Sequence, residues 1–165
     1  MSNLGKALRV PAARFERMLP GPIERMWEHL TDCTKLKGWF GEGTIEPQEG
    51  GAVTLMGGDV RGVITQWKPP RLLAYTWNVF GPQDEESPFP ESYLTFELEA
   101  RGDQVLLTLT HMPILERFEK QNMMGWHTFL DMVEAALSSQ TPEPQEVHMK
   151  RNAERYGVDL ANLAR

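Results

Sequence analysis

The sequence is poor in cysteine. Its 165 residues include only Cys33, which rules out an intramolecular disulfide and a cysteine-built zinc cluster. A reducing compartment suits such a chain, and the expected location is the cytoplasm. Long apolar runs are also missing. Nothing approaches the roughly 18 residues of a membrane span, and the stretch from Met1 to Val10 holds no apolar segment of leader length. Membrane insertion is therefore not expected. Positive charge is scarce, with 17 Lys+Arg against 23 Asp+Glu for a net charge of −6, and this repels a polyanion. Nucleic acid drops out of the expected partners.

Signatures of the common enzymes are absent as well. The chain has no Gly-x-Ser-x-Gly elbow, no phosphate loop and no His-Glu-x-x-His string, and Gly41-Glu42-Gly43 lacks the third glycine of a dinucleotide fingerprint. His29 and Cys33 stand four residues apart, a spacing that suits two metal ligands, yet zinc would need two more and none is at hand. No catalytic residue, metal or cofactor is assigned. No repeat with a period of 20 to 50 residues occurs, which argues against solenoids and propellers.

What remains is an ordinary globular composition, 41% hydrophobic and 24% charged. At this length a chain buries roughly two thirds of its unfolded surface and needs no staple. Ala7 to Leu19 alternates loosely and reads as a first strand. Pro20-Gly21-Pro22 breaks it, and Pro22 suits the opening turn of a helix, where its missing N–H is not needed. Ile23, Met26, Trp27 and Leu30 then form an amphipathic stripe. Thr31-Asp32 marks a break and a new N-cap before a second short helix, Thr34 to Phe40, closed by Gly41.

From Gly43 the period changes to two. Strands are expected over Thr44 to Pro47, Ala52 to Met56, Val60 to Trp67, Leu72 to Trp77, Tyr93 to Ala100 and Gln104 to Thr110. Lys68-Pro69-Pro70-Arg71 and Arg101-Gly102-Asp103 supply turns, and the acidic, proline-rich Gly81 to Pro90 reads as a loop able to gate a pocket. Gln121 to Ser139 carries Trp126, Leu130, Val133 and Leu137 at offsets of 4, 7 and 11, a long helix fit to cover the apolar face of the sheet. The expected organisation is one α+β domain over residues 7–140 and a helical extension over 141–165. That extension, with a helix from Gln145 to Tyr156 stopped by Gly157, is expected to dock through Val158, Leu160 and Leu163 on its own domain or on a second copy as a homodimer.

Several segments sharpen this order of elements. They are Pro22 to Thr31, Leu36-Lys37-Gly38-Trp39-Phe40, Gly50-Gly51, Gly62-Val63, Pro69-Pro70-Arg71-Leu72, Tyr75-Thr76-Trp77, Leu107 to His111 and Gly125-Trp126 with Leu130 and Leu137. In order and spacing the chain resembles the SRPBCC (START/Bet v 1-like) superfamily, in the branch named after the C-terminal domain of the Hsp90 ATPase activator Aha1. The resemblance implies a helix-grip fold, in which a curved antiparallel sheet of six or seven strands wraps a long C-terminal helix, with two short helices after the first strand. It also implies an internal cavity for a small hydrophobic or aromatic molecule.

Inward parity selects the residues expected to meet such a ligand: Tyr75, Trp77, Phe96, Leu109, His111, Met123, Trp126, His127 and Leu130. Trp77, Tyr75 and Trp126 lead among them, because a buried indole N–H or phenol O–H seeks a polar partner. His111 shares its parity with Leu107 and Leu109 and falls at a strand end, the expected pocket mouth. His127 stands four residues from Asp131, which makes a helical ion pair its ordinary reading. Two other functions stand behind ligand binding. One is an Hsp90-activator-like interaction module with a chaperone partner, which ranks lower because the six residues before Ala7 are too few for an activator-type N-terminal domain. The other is a cavity enzyme of cyclase or hydrolase type, using a pair such as Tyr75 and His111.

Overall fold

A computed structural model describes residues 3–141 and 143–164. Pro142, part of the expected break after Thr141, lies outside the described residues, as do Met1, Ser2 and Arg165. Seven strands form one antiparallel sheet: β1 (Ala13–Pro20), β2 (Thr44–Ile45), β3 (Ala52–Leu55), β4 (Val60–Lys68), β5 (Leu72–Val79), β6 (Ser92–Arg101) and β7 (Gln104–Met112). Their order across the sheet is β1-β7-β6-β5-β4-β3-β2. Two short helices, α1 (Ile23–Thr31) and α2 (Cys33–Lys37), follow β1, and the long α3 (Glu119–Leu137) and terminal α4 (Gln145–Tyr156) follow the sheet. The fold is the α+β helix grip.

Local chemistry accounts for most boundaries. Asp32 caps α2, its carboxylate accepting from the Thr34 and Lys35 amides at 2.9 and 3.2 Å. The helix ends at Lys37, earlier than its expected end at Phe40, because Trp39 and Phe40 turn inward instead, each 3% exposed. There the Trp39 indole donates to the His29 carbonyl at 2.7 Å. The first strand begins at Ala13, not Ala7, since Pro11 offers no N–H and the register with β7 starts at Ala13 opposite His111. Gly157 stops α4 in the left-handed conformation, φ 68°, where a Cβ would be strained.

The inward face of the sheet carries Leu19, Leu73, Tyr75, Leu94, Phe96, Leu98, Val105, Leu107 and Leu109, all buried. Against it lie Trp126, Leu130, Val133 and Leu137 of α3, at most 3% exposed. Each such side chain contributes roughly 1.5–3 kcal/mol by leaving water. At the β4–β5 pair the register slips between Ile64 and Gln66. Close by, a Cβ built on Gly62 would stand 1.8 Å from the Thr76 carbonyl oxygen. Gly62→Ala is therefore expected to prise these strands apart and cost about 1–3 kcal/mol or more; a denaturation midpoint equal to the parent's would contradict this.

The extension does dock on its own domain, but of the three residues expected to hold it only Val158 is half-buried. Leu160 and Leu163 remain 39% and 43% exposed, while His148, Asn152 and Ala153 of α4 are buried. Polar groups supply the specificity. Asn152 donates to Thr128 Oγ1 and Asp131 Oδ2, and Arg17 of β1 pairs with Asp131 at 2.8 Å. A helix whose apolar residues are sparse is fastened by buried hydrogen bonds rather than by a greasy end.

Candidate functional site

Where the grip opens, the sheet and α3 part and leave a cavity of about 590 Å³, within the roughly 300–1,000 Å³ of small-molecule sites. Trp77 and Val79 of β5, Ser92 of β6 and His111 of β7 wall one side. Phe89 and Pro90 of the acidic loop, the 113–115 segment, Phe118 just before α3, Asn122 of α3, Val10 and Ala164 complete the wall. Among the described residues, no charged side chain lines it. Trp77 pairs directly with Ser92 across β5 and β6, so their side chains point to the same face, and His111 follows Leu107 and Leu109 along β7.

His111 organises the polar end. The Trp126 indole N–H, which can only donate, meets His111 Nδ1 at 3.0 Å, so this nitrogen is the acceptor and the proton of the neutral ring sits on Nε2. Nε2 donates to Ser92 Oγ at 2.7 Å, and the Ser92 hydroxyl donates in turn to the Trp77 carbonyl at 3.3 Å. Asn122 Nδ2 adds a second donor to Nδ1 at 3.2 Å. Burial pushes the imidazole down to about 4, outweighing the opposite pull of the Asn122 hydrogen bond. The ring is uncharged at neutral pH. It is also wedged between aromatics, 5.3 Å from Trp77 and 5.7 Å edge-on from Trp126.

Residues 20–138 match the model of the family described as activator of Hsp90 ATPase homolog 1-like protein. The chain belongs to this AHSA1-like family. Among solved structures, CalU16 from Micromonospora echinospora superposes with a TM-score of 0.70 at 25% identity, over 88% of this chain and 85% of that one. The protein encoded by BPP1335 of Bordetella parapertussis gives 0.68 at 28%, over 96% and 93%. The Aha1 dimer from Colwellia psychrerythraea gives 0.58 at 20%, over 77% and 96%, a likeness of fold alone. No curated protein matches the chain.

In this AHSA1-like chain the nine residues read from the sequence as ligand-facing are distributed over three places. Trp77 and His111 stand in the cavity wall, with Trp126 directly behind them, 5.3 Å from Trp77 and bonded to His111. Tyr75, Phe96, Leu109 and Leu130 fill the space between the sheet and α3, at most 2% exposed, and burial raises the Tyr75 phenol well above its ordinary value. Met123 packs half-buried against the same core. His127 lies on another side of α3, edge-on to Phe15 of β1 and 2.7 Å from the Tyr156 hydroxyl of α4, with Arg155 against its Nε2. Burial lowers the His127 imidazole, and its carboxylate neighbour Asp131, 3.7 Å away, belongs to the joint that fastens α4.

The reading from sequence did not reach Ser92 or Asn122. Both carried a signal: Ser92 continues the inward parity of Leu94, Phe96 and Leu98 by one step, and Asn122 precedes Trp126 by one helical turn. Phe89, Ile114, Leu115 and Phe118 carried none. They sit outside the regular strands, where no period marks the inward side.

Proposed function

We propose that this AHSA1-like protein binds a small hydrophobic or aromatic molecule in the cavity at the open end of its grip. The observation that carries the reading is the wall itself: about 590 Å³ bounded by apolar and aromatic side chains, with Trp77 and His111 against the ligand and no charge among the described lining residues. Trp126 acts behind them as a positioning residue, since its N–H fixes the tautomer and the plane of His111. Closed aromatic packing around Trp126 backs the Trp77 and His111 side of the wall, and such preorganisation lowers the ordering cost of binding.

Native mass spectrometry of the purified protein and a thermal-shift screen of aromatics, isoprenoids and fatty acids test this. A ligand at a hundred times its Kd stabilises by about 2.7 kcal/mol, so a melting rise of about 5–10 °C is expected for a domain of this size. Absence of both a retained mass and any shift across the screen would overturn the reading. The family match over residues 20–138 supports a second reading, an Hsp90-activator-like interaction module. Its mark would be a raised chaperone ATPase rate on addition of this protein, unaffected by filling the cavity through Val79→Trp.

A further inference from the structure

Resting on the cavity reading above, we infer that Trp77, backed by Phe40, closes the inner end of the cavity and so sets how long a ligand it admits. A second hollow, of about 450 Å³, lies between the end of α2, the turn after β3 and α3, and Trp39, Phe40, Met56, Phe129 and Met132 stand in its wall. Among the described residues, none lines both this hollow and the cavity of about 590 Å³. A layer of rings divides them. Phe40 touches Trp39, Phe129, Trp126 and Trp77, with centroids 4.8, 4.7, 5.8 and 6.0 Å away. Of these four partners, only Trp77 also stands in the cavity wall. Along this line the divide is two side chains thick, Trp77 on the cavity side and Phe40 on the other.

Trp77 differs from the rings behind it in exposure. Trp39, Phe40 and Trp126 are each 3% exposed, whereas Trp77 is half-buried. Its indole rests on His111 and Trp126, both with centroids at 5.3 Å, and meets Phe40 edge-on. Those three rings hold one another without it: Phe40 stacks on Trp126 at 20°, and the Trp126 N–H is bonded to His111. Shortening Trp77 therefore leaves its space open, because rings so held collapse only in part into the gap. An apolar void of this kind stays dry and takes up apolar guests. With Trp77 in place, a ligand chain that reaches the indole must fold back or leave its remaining methylenes in water, where they gain nothing from burial.

A ruler of straight-chain primary alcohols, hexanol to dodecanol, titrated into the full-length chain by calorimetry, tests this. In the parent each added methylene is expected to tighten binding about fourfold up to a break length, after which affinity levels off. In Trp77→Ala, checked for folding by near-ultraviolet circular dichroism, the break should move to alcohols longer by about two or more methylenes. Trp77→Leu, a milder truncation, should move it in the same direction and carries the comparison if the alanine variant does not fold. Affinity that climbs without a break through dodecanol in the parent, or a break at the same length in the parent and the folded variant, would overturn the inference while leaving the cavity reading intact. Failure of every alcohol to bind the parent would count against the cavity reading, and the inference would fall with it.

Discussion

Trp126→Ala is expected to cost about 3–5 kcal/mol, the range for removing a large buried ring. The indole is 3% exposed and is the hub of the aromatic layer under the cavity, stacked on Phe40 at 5.8 Å and 20° and edge-on to Phe96 and Phe129. Its loss opens a void and also strips His111 Nδ1 of its indole donor. Trp126→Phe separates the two effects, because it keeps much of the volume and deletes the N–H. Denaturant midpoints should fall in the order parent, Phe, Ala, and the Phe variant should bind the cavity probes more weakly as His111 loosens. Parent-like stability of Trp126→Ala would mean that the helix and sheet do not pack as described.

Acid should destabilise this protein through His111. An unfolded histidine titrates near 6.5, and burial holds this one at about 4 in the folded chain. Above pH 6.5 both states carry a neutral ring, and the group adds nothing to the pH dependence. Between pH 6.5 and 4 the unfolded chain takes up a proton that the folded chain refuses, so stability falls as pH falls. Each tenfold difference in proton affinity between the two states is worth about 1.4 kcal/mol, and the loss reaches about 3 kcal/mol at the foot of the window. His29 and His127, also lowered chiefly by burial, slope the same way. The difference between parent and His111→Gln isolates the contribution of His111: the variant should show a flatter dependence of unfolding free energy on pH between 6.5 and 4. Parallel curves would show that His111 does not stay neutral in the folded state.

Periodicity along the chain reports which side of an element meets the core, and that much was legible from residues alone. The stripe of Trp126, Leu130, Val133 and Leu137 determined a long helix with one buried face, and the alternation ending in Leu107, Leu109 and His111 determined that an imidazole would be carried inward at a strand end. Pro22, Asp32 and Gly157 marked helix ends by chemistry confined to a few neighbouring residues, which is why those ends were legible. The cavity was not legible in the same way. A void forms where elements distant in sequence fail to fill space between them, and its wall takes Phe89 and Phe118 from irregular segments that have no inward side until the fold provides one. Parity treats Phe96 and His111 alike, and both are buried, yet Phe96 lies wholly in the closed packing while His111, bonded to Trp126 and Asn122 of α3, also lines the cavity. The same holds for the terminal arm. Its apolar end at Leu160 and Leu163 was the visible feature, but Asn152 holds the arm down, because Thr128 and Asp131 present partners that only the packing of α4 on α3 brings within 3.2 Å.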